Sequence, residues 1–301
     1  MGYYSLRVTR NLIRVLPEPL FRILKSILIL IGKPFLAKKK PLVLENLKKV
    51  FKDTKSEKEI KQIAQHCFDN TIVGMIELIY YIDRPDKILN DVTIEGLEYL
   101  EDSIRVGNCA IMMSAHFGNF VLMLTRMVIA GYETNCITKR TRDAQFERYI
   151  TKLRDHRGFK AIYALPRKRC IIESIKALRR NNLLFILFDQ NFGSDGQVFV
   201  DFLGLKAATA TGPVVLAQRT GAPIHPIFII SEGKQKFKIK ILKPVAMKFE
   251  DGGRRELINH VAKLTGIIED FVLKYPSQWG GWFHKRWKTK PDSSRVYEEL
   301  L

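Results

Sequence analysis

Cysteine is scarce in this chain: four residues in 301, with Cys67, Cys109, Cys136 and Cys170 far apart and no C-x-x-C pair. That excludes a disulfide frame and a cysteine zinc site, and reads as reduced core residues of a protein facing the cytosol. No two histidines have metal-ligand spacing. Acid is short as well, with 31 Asp and Glu against 50 Lys and Arg, a net charge of +19. Such an excess calls for a polyanionic partner: nucleic acid, an anionic membrane surface or an acidic protein. The aromatics do not interleave with the basic residues as a single-strand nucleic-acid platform requires, so nucleic acid is set aside. Long apolar runs are missing from the first forty residues, where the longest uncharged stretch is Ser26 to Gly32. A spanning helix needs roughly 20 apolar residues, so no transmembrane segment is expected there. Recurrent basic residues and the lack of a small-residue cleavage site argue against a signal peptide. The G-x-S-x-G elbow, the G-x-x-x-x-G-K-[ST] phosphate loop and the G-x-G-x-x-G fingerprint are absent too.

What is present divides into a helical preface and an alternating body. Residues 1–40 set Leu12, Ile13, Leu16, Leu20, Phe21, Ile23 and Leu24 against Arg7, Arg10, Arg14, Arg22 and Lys25. This pattern predicts one or two amphipathic helices, broken near Pro17 and Pro19, lying in the interface of an anionic bilayer; the alternative is a helical hairpin packed on the domain. Residues 41–301 form one domain, with no repeat and no low-complexity linker. Helices are predicted over Leu42 to Phe51 and Glu57 to Tyr81, the second capped by Thr54 or Ser56. From Val92 short strands (92–94, 109–113, 134–137, 161–163, 183–188, 224–230, 237–242) alternate with helices (121–129, 142–156, 167–180, 254–275). The expected class is α/β, a mostly parallel sheet flanked by helices.

His116 stands at the end of the apolar run Ala110 to Met113, at a strand-to-helix junction. Ligands of open α/β sheets bind beyond the carboxyl ends of strands. It is therefore either a general base, since imidazole titrates near neutral pH, or a structural residue capping a turn. Three other groups share that edge. Lys139, Arg140, Arg142, Arg148, Arg154 and Arg157 follow the strand at 134–137 and suit phosphate or carboxylate, or form an exposed basic face. Asp189 follows the strand at 183–188 and would orient a His or a hydroxyl, or merely close its turn. Ala207 to Arg219, with Thr211 and Gly212, offers free backbone N–H groups to an anion, or only a helix cap. Glu77 is an acid in an apolar helix face and needs a partner if buried.

Taken together, His116-Phe117-Gly118-Asn119-Phe120, Asp189-Gln190, the stretch Val198 to Gly204, Thr211-Gly212-Pro213, Thr220-Gly221-Ala222-Pro223 and the segment Tyr275 to Lys288 resemble the late acyltransferases of lipid A biosynthesis. Asn46-Leu47 through Phe51 is similar to that family as well. The resemblance implies a bacterial inner-membrane enzyme, anchored by an N-terminal hydrophobic helix, that moves an acyl chain to a hydroxyl of a lipid A precursor. The weak N-terminal segment here departs from that anchor, and the expectation is a peripheral or monotopic protein on the cytoplasmic face. The donor is acyl-acyl carrier protein or acyl-CoA, and no further cofactor is implied. His116 would be the base and Asp189 its support. Asn119, Arg154, Thr211 and Gly212 would contact substrate. The acidic carrier protein and the phosphorylated lipid give the positive charge two partners. One position departs: the family places an acid five residues after the histidine, and here that residue is Val121. Either Asp189 or Glu77 supplies the acid from another element, or the chain is an impaired relative that binds lipid.

Overall fold

In the computed structural model, residues 2–291 are described except 108, 142, 157, 194, 195 and 251. Helices α1 (Gly2–Val15) and α2 (Glu18–Leu36) are separated at Leu16 and Pro17, where the proline ring suits a helix start and not a helix interior. Then come α3 (Lys40–Phe51) and α4 (Glu57–Tyr81). Ser56 caps α4 in a reciprocal box with Glu59, satisfying two of the free donors at the helix start. The body follows as α5 (Pro85–Asp91), β1 (Val92–Glu95), α6 (Leu97–Arg105), β2 (Ala110–Ser114), α7 (Phe120–Ile129), β3 (Thr134–Thr138), α8 (Ala144–His156), β4 (Phe159–Tyr163) and α9 (Arg167–Arg179). It closes with β5 (Leu183–Leu187), β6 (Gln197–Phe202), β7 (Leu205–Ala210), α10 (Gly212–Thr220), β8 (Ile224–Gly233), β9 (Lys236–Ile241) and α11 (Arg254–Lys274).

Seven strands form one sheet in the order β1-β9-β8-β2-β5-β3-β4. β8, β2, β5, β3 and β4 run parallel; β9 is antiparallel to β8, and β1 runs with β9. The expected α/β class with a mostly parallel sheet is thus the observed one. AIMMS of β2 and LLFIL of β5 read as continuous apolar runs because both faces of a central parallel strand are covered. Their residues alternate between two cores: Ile111, Met113, Leu184 and Ile186 pack on the side of α3 and α11, while Ala110, Met112, Leu183 and Phe185 pack on the side of α4 and α7. One stretch departs from the expectation. Ala207 to Ala210 is not a free loop before a helix but belongs to β7, paired antiparallel with β6, so alternate backbone N–H groups there are committed to the ladder.

Helices α1 and α2 lie against α4. The two lysines of α2 reach α4, Lys25 meeting Glu77 at 2.5 Å and Lys33 meeting Asp69 at 3.1 Å, while Arg22 stays exposed and pairs with Glu18 one turn before it. Arg10 of α1 meets Asp83 at 2.6 Å. The outward face of α2 is apolar, with Leu20, Ile23, Ile27, Leu30, Ile31 and Phe35 exposed at helical spacing. Among the described residues no helix is long and apolar enough to cross a membrane.

Candidate active site

The sheet register builds the site. β2 and β5 are adjacent and aligned, with Ser114 opposite Leu187. Two residues beyond each lie His116 and Asp189, which therefore leave the carboxyl edge side by side. The His116 ring places Nδ1 2.8 Å from Asp189 Oδ1, and its backbone N–H donates to Oδ2 at 3.0 Å. Trp279 Nε1 donates to the same Oδ2 at 2.8 Å. Asp189 is buried with no side-chain exposure, whereas 26% of the His116 side chain stays open to solvent. Burial alone would push the Asp189 carboxyl upward; the charge and hydrogen bonds of His116, with the indole of Trp279, hold it below the usual carboxylate range. Burial likewise works against the charged His116 ring, but the Asp189 charge and hydrogen bond outweigh it and raise its pKa. With Nδ1–H committed to the carboxylate, Nε2 presents a lone pair outward, as a base requires.

The loop that carries His116 is fixed from both sides. Phe117 is fully buried, and Gly118 has φ +52, with any Cβ there falling 2.3 Å from the carbonyl oxygen of Ile229. Only glycine fits that approach. On the other side the segment after α11 clamps the loop: Gly118 N–H donates to Gln278 O at 2.8 Å and Gly280 N–H to His116 O at 2.7 Å. Arg286, 1% exposed, donates to the carbonyl oxygens of Ala208 at 2.6 Å and Gln190 at 3.4 Å and to Thr209 Oγ1 at 2.6 Å. It ties the strand-end turn after β5 to β7.

Beside the His116 ring, Gln190 Nε2 lies 3.1 Å from His116 Nε2 and 3.5 Å from His284 Nε2. Burial and the neighbouring His116 charge keep His284 below its ordinary pKa. The Phe120 ring meets the His116 ring edge-on, 5.3 Å between centroids, and forms one wall of an apolar cavity of about 210 Å³. Val121, Cys136, Leu153 and Arg154 line the same cavity.

Asn119 caps α7 by accepting from Leu122 N–H at 3.3 Å and donates to Gly74 O at 3.2 Å, so its amide is engaged by backbone. Arg154 reaches Glu147 at 3.4 Å on the cavity wall. Thr211 donates to Gly196 O at 2.9 Å, and Gly212 is the first residue of α10. Glu77 is corrected as a supporting acid: it is buried and engaged by Lys25, on the α2 side of α4, and the carboxylate at His116 is Asp189. Of the basic group, Arg140 stacks on Tyr163, Arg148 is exposed, and Arg142 and Arg157 lie outside the described residues. Trp279, His284, Arg286 and the side chain of Gln190 were not singled out as site residues. A buried indole needs an acceptor and a buried guanidinium needs several, so Trp279 and Arg286 in one short segment were the available signal.

The model of the bacterial lipid A biosynthesis acyltransferase family matches residues 5–289. The chain belongs to that family. It is similar to the lipid A biosynthesis palmitoleoyltransferase of Escherichia coli K12, 23% identical with 92% of this chain and 87% of that protein covered. The lauroyltransferase of the same organism is 24% identical over 86% and 82% of the two chains. The phosphatidylinositol mannoside acyltransferase of Mycobacterium tuberculosis H37Rv is 26% identical over 48% and 46%. Among solved structures, the 1-acyl-sn-glycerophosphate acyltransferase of Thermotoga maritima aligns with a TM-score of 0.39 and 17% identity, covering 86% of this chain and 99% of that one.

Proposed function

We propose that this acyltransferase moves a fatty acyl group from acyl carrier protein to a hydroxyl of a lipid A precursor or a related glycolipid. The observation that carries the reading is the 2.8 Å bond from His116 to the buried Asp189. In the proposed step the acceptor hydroxyl gives its proton to His116 Nε2 as its oxygen attacks the thioester carbonyl carbon. A C–O bond forms and the carbonyl electrons move to oxygen. Collapse of this intermediate expels the thiolate, which takes the proton back from the imidazolium and leaves as thiol. Asp189 stays ionised throughout, fixing the tautomer and stabilising the imidazolium. The apolar cavity behind Phe120 suits the acyl chain. A carboxylate already on the ring favours this enzyme reading over an impaired lipid-binding relative, although position 121 is valine.

The acceptor class is supported by the names of the relatives, which act on lipid A or on a mannoside lipid. The net charge of +19 suits an acidic carrier and a phosphorylated lipid. For localisation we propose the cytoplasmic face of a bacterial inner membrane, held peripherally or monotopically by the exposed apolar stripe of α2. With its lysines paired to α4, that helix offers the bilayer hydrocarbon where a surface helix of a water-facing domain offers charge.

Transfer from lauroyl-acyl carrier protein to a tetra-acylated lipid A precursor in detergent micelles tests this. The parent chain is expected to turn over, and His116→Ala to lose about 10³-fold or more, the worth of a positioned base. A His116→Ala protein as active as the parent contradicts the assigned base. Lauroyl-CoA run in parallel separates the carrier requirement from the thioester requirement.

A further inference from the structure

The side chain of Gln190 is not used by the mechanism above, yet it sits on the reacting nitrogen. Its amide nitrogen is 3.1 Å from His116 Nε2 and 3.5 Å from His284 Nε2, and the two imidazole centroids are 5.9 Å apart. Because His116 Nδ1–H is given to Asp189, its Nε2 can only accept in the neutral ring. An amide –NH₂ has two hydrogens, one for each imidazole. The acceptor hydroxyl must donate to that same Nε2 before it can attack, so it has to displace the amide. The displaced N–H then lies next to the carbonyl under attack, where negative charge develops on oxygen.

We propose that Gln190 is a catalytic residue: its amide covers the lone pair of His116 in the empty site and, displaced by the acceptor hydroxyl, donates one N–H to the thioester oxygen as it becomes an oxyanion. The second N–H stays on His284, which is the positioning residue that keeps the amide in reach. The backbone of Gln190 is held independently by Arg286, so the side chain pivots on a fixed carbonyl. In the transition state the thioester carbonyl electrons rest on oxygen beside this N–H. They return when the C–S bond breaks, and the amide regains His116 once product leaves. The proposal rests on the acyl-transfer reading and adds to it a donor that the reading lacks.

Two variants of similar size test it: Gln190→Met, which removes the donors, and Gln190→Glu, which replaces them by acceptors. The expected result is a kcat lowered by roughly 10²–10³ in both, as for loss of one oxyanion donor, on transfer and on hydrolysis of lauroyl-CoA alike. The second readout is the titration midpoint of His116 followed by NMR of the imidazole. A donor on Nε2 favours the neutral ring, so Gln190→Met raises the midpoint. A kcat within about threefold of the parent overturns the proposal, since that is under 1 kcal/mol of barrier. A lowered kcat with the His116 midpoint unmoved also overturns it, assigning Gln190 a structural part only. The midpoint needs no turnover, so it stands apart from the acyl-transfer reading, which fails instead if His116→Ala stays active.

Discussion

Asp189→Asn is expected to lower turnover by about 10⁴-fold while the chain stays folded, as loss of the orienting acid does in a comparable triad. The reason lies in how the two oxygens are used. Oδ2 accepts from the His116 backbone N–H and from Trp279 Nε1, whereas Oδ1 faces the ring. An asparagine keeps its single oxygen for the two N–H donors and therefore turns its –NH₂ to Nδ1. The ring answers with Nδ1 as acceptor and Nε2 protonated, and the base is gone. The residual activity also titrates differently. Asp189 raises the pKa of His116, so the parent loses activity as pH falls through that raised value. Without the carboxylate the midpoint moves to lower pH, and so does the acid limb of the rate profile. A pH–rate profile of the variant that overlays the parent at full rate contradicts the pairing.

Arg286→Met is expected to cost stability more than any substitution at the open edge of the site. The guanidinium is 1% exposed and donates to Ala208 O, Thr209 Oγ1 and Gln190 O. A hydrogen bond from a charged donor contributes roughly 1.5–3 kcal/mol, and its loss leaves buried carbonyls unpaired. Against this stands the cost of burying the cation, visible in the lowering of the Arg286 pKa to about 10 by desolvation. The net expectation is a destabilisation of about 2–3 kcal/mol, read as a lower denaturant midpoint at unchanged slope. Turnover falls with it, because Gln190 loses its backbone tether. A midpoint equal to the parent's would show that methionine packing replaces the three bonds, as apolar replacement of buried ions does in some proteins.

The parts of the molecule legible in the sequence are those governed by short-range pattern. The apolar runs at 110–113 and 183–187 read as buried strands because both faces of a central parallel strand are dry. His116 and Asp189 were each visible as polar residues at the end of such a run. Asp189 and Glu77 were both candidates for the acid at His116; which of them meets the ring was not legible, because that depends on the register of β2 against β5, two strands separated by 73 residues of chain. The same holds for Trp279 on Asp189, 90 residues apart, and for Arg286 on β7, 78 residues apart. The β6–β7 hairpin escaped because Ala207, Ala208 and Ala210 carry no strand-like alternation, and the pairing with Phe199 and Val200 overrides weak local preference. Glu77 was legible as a buried acid, but not its partner: Lys25 looks like membrane-facing charge in the sequence, and turns inward in the fold. Val121 looked like a missing acid; its side chain lines the apolar cavity beside His116.

In the proposed reaction Asp189 does the work of the acid expected at position 121. Turnover of the parent chain beside its Val121→Glu variant, with lauroyl-acyl carrier protein and the tetra-acylated lipid A precursor, tests it most directly. The parent is expected to turn over, and a glutamate in the cavity wall to give no gain, since His116 is already paired. Activity confined to Val121→Glu would contradict it.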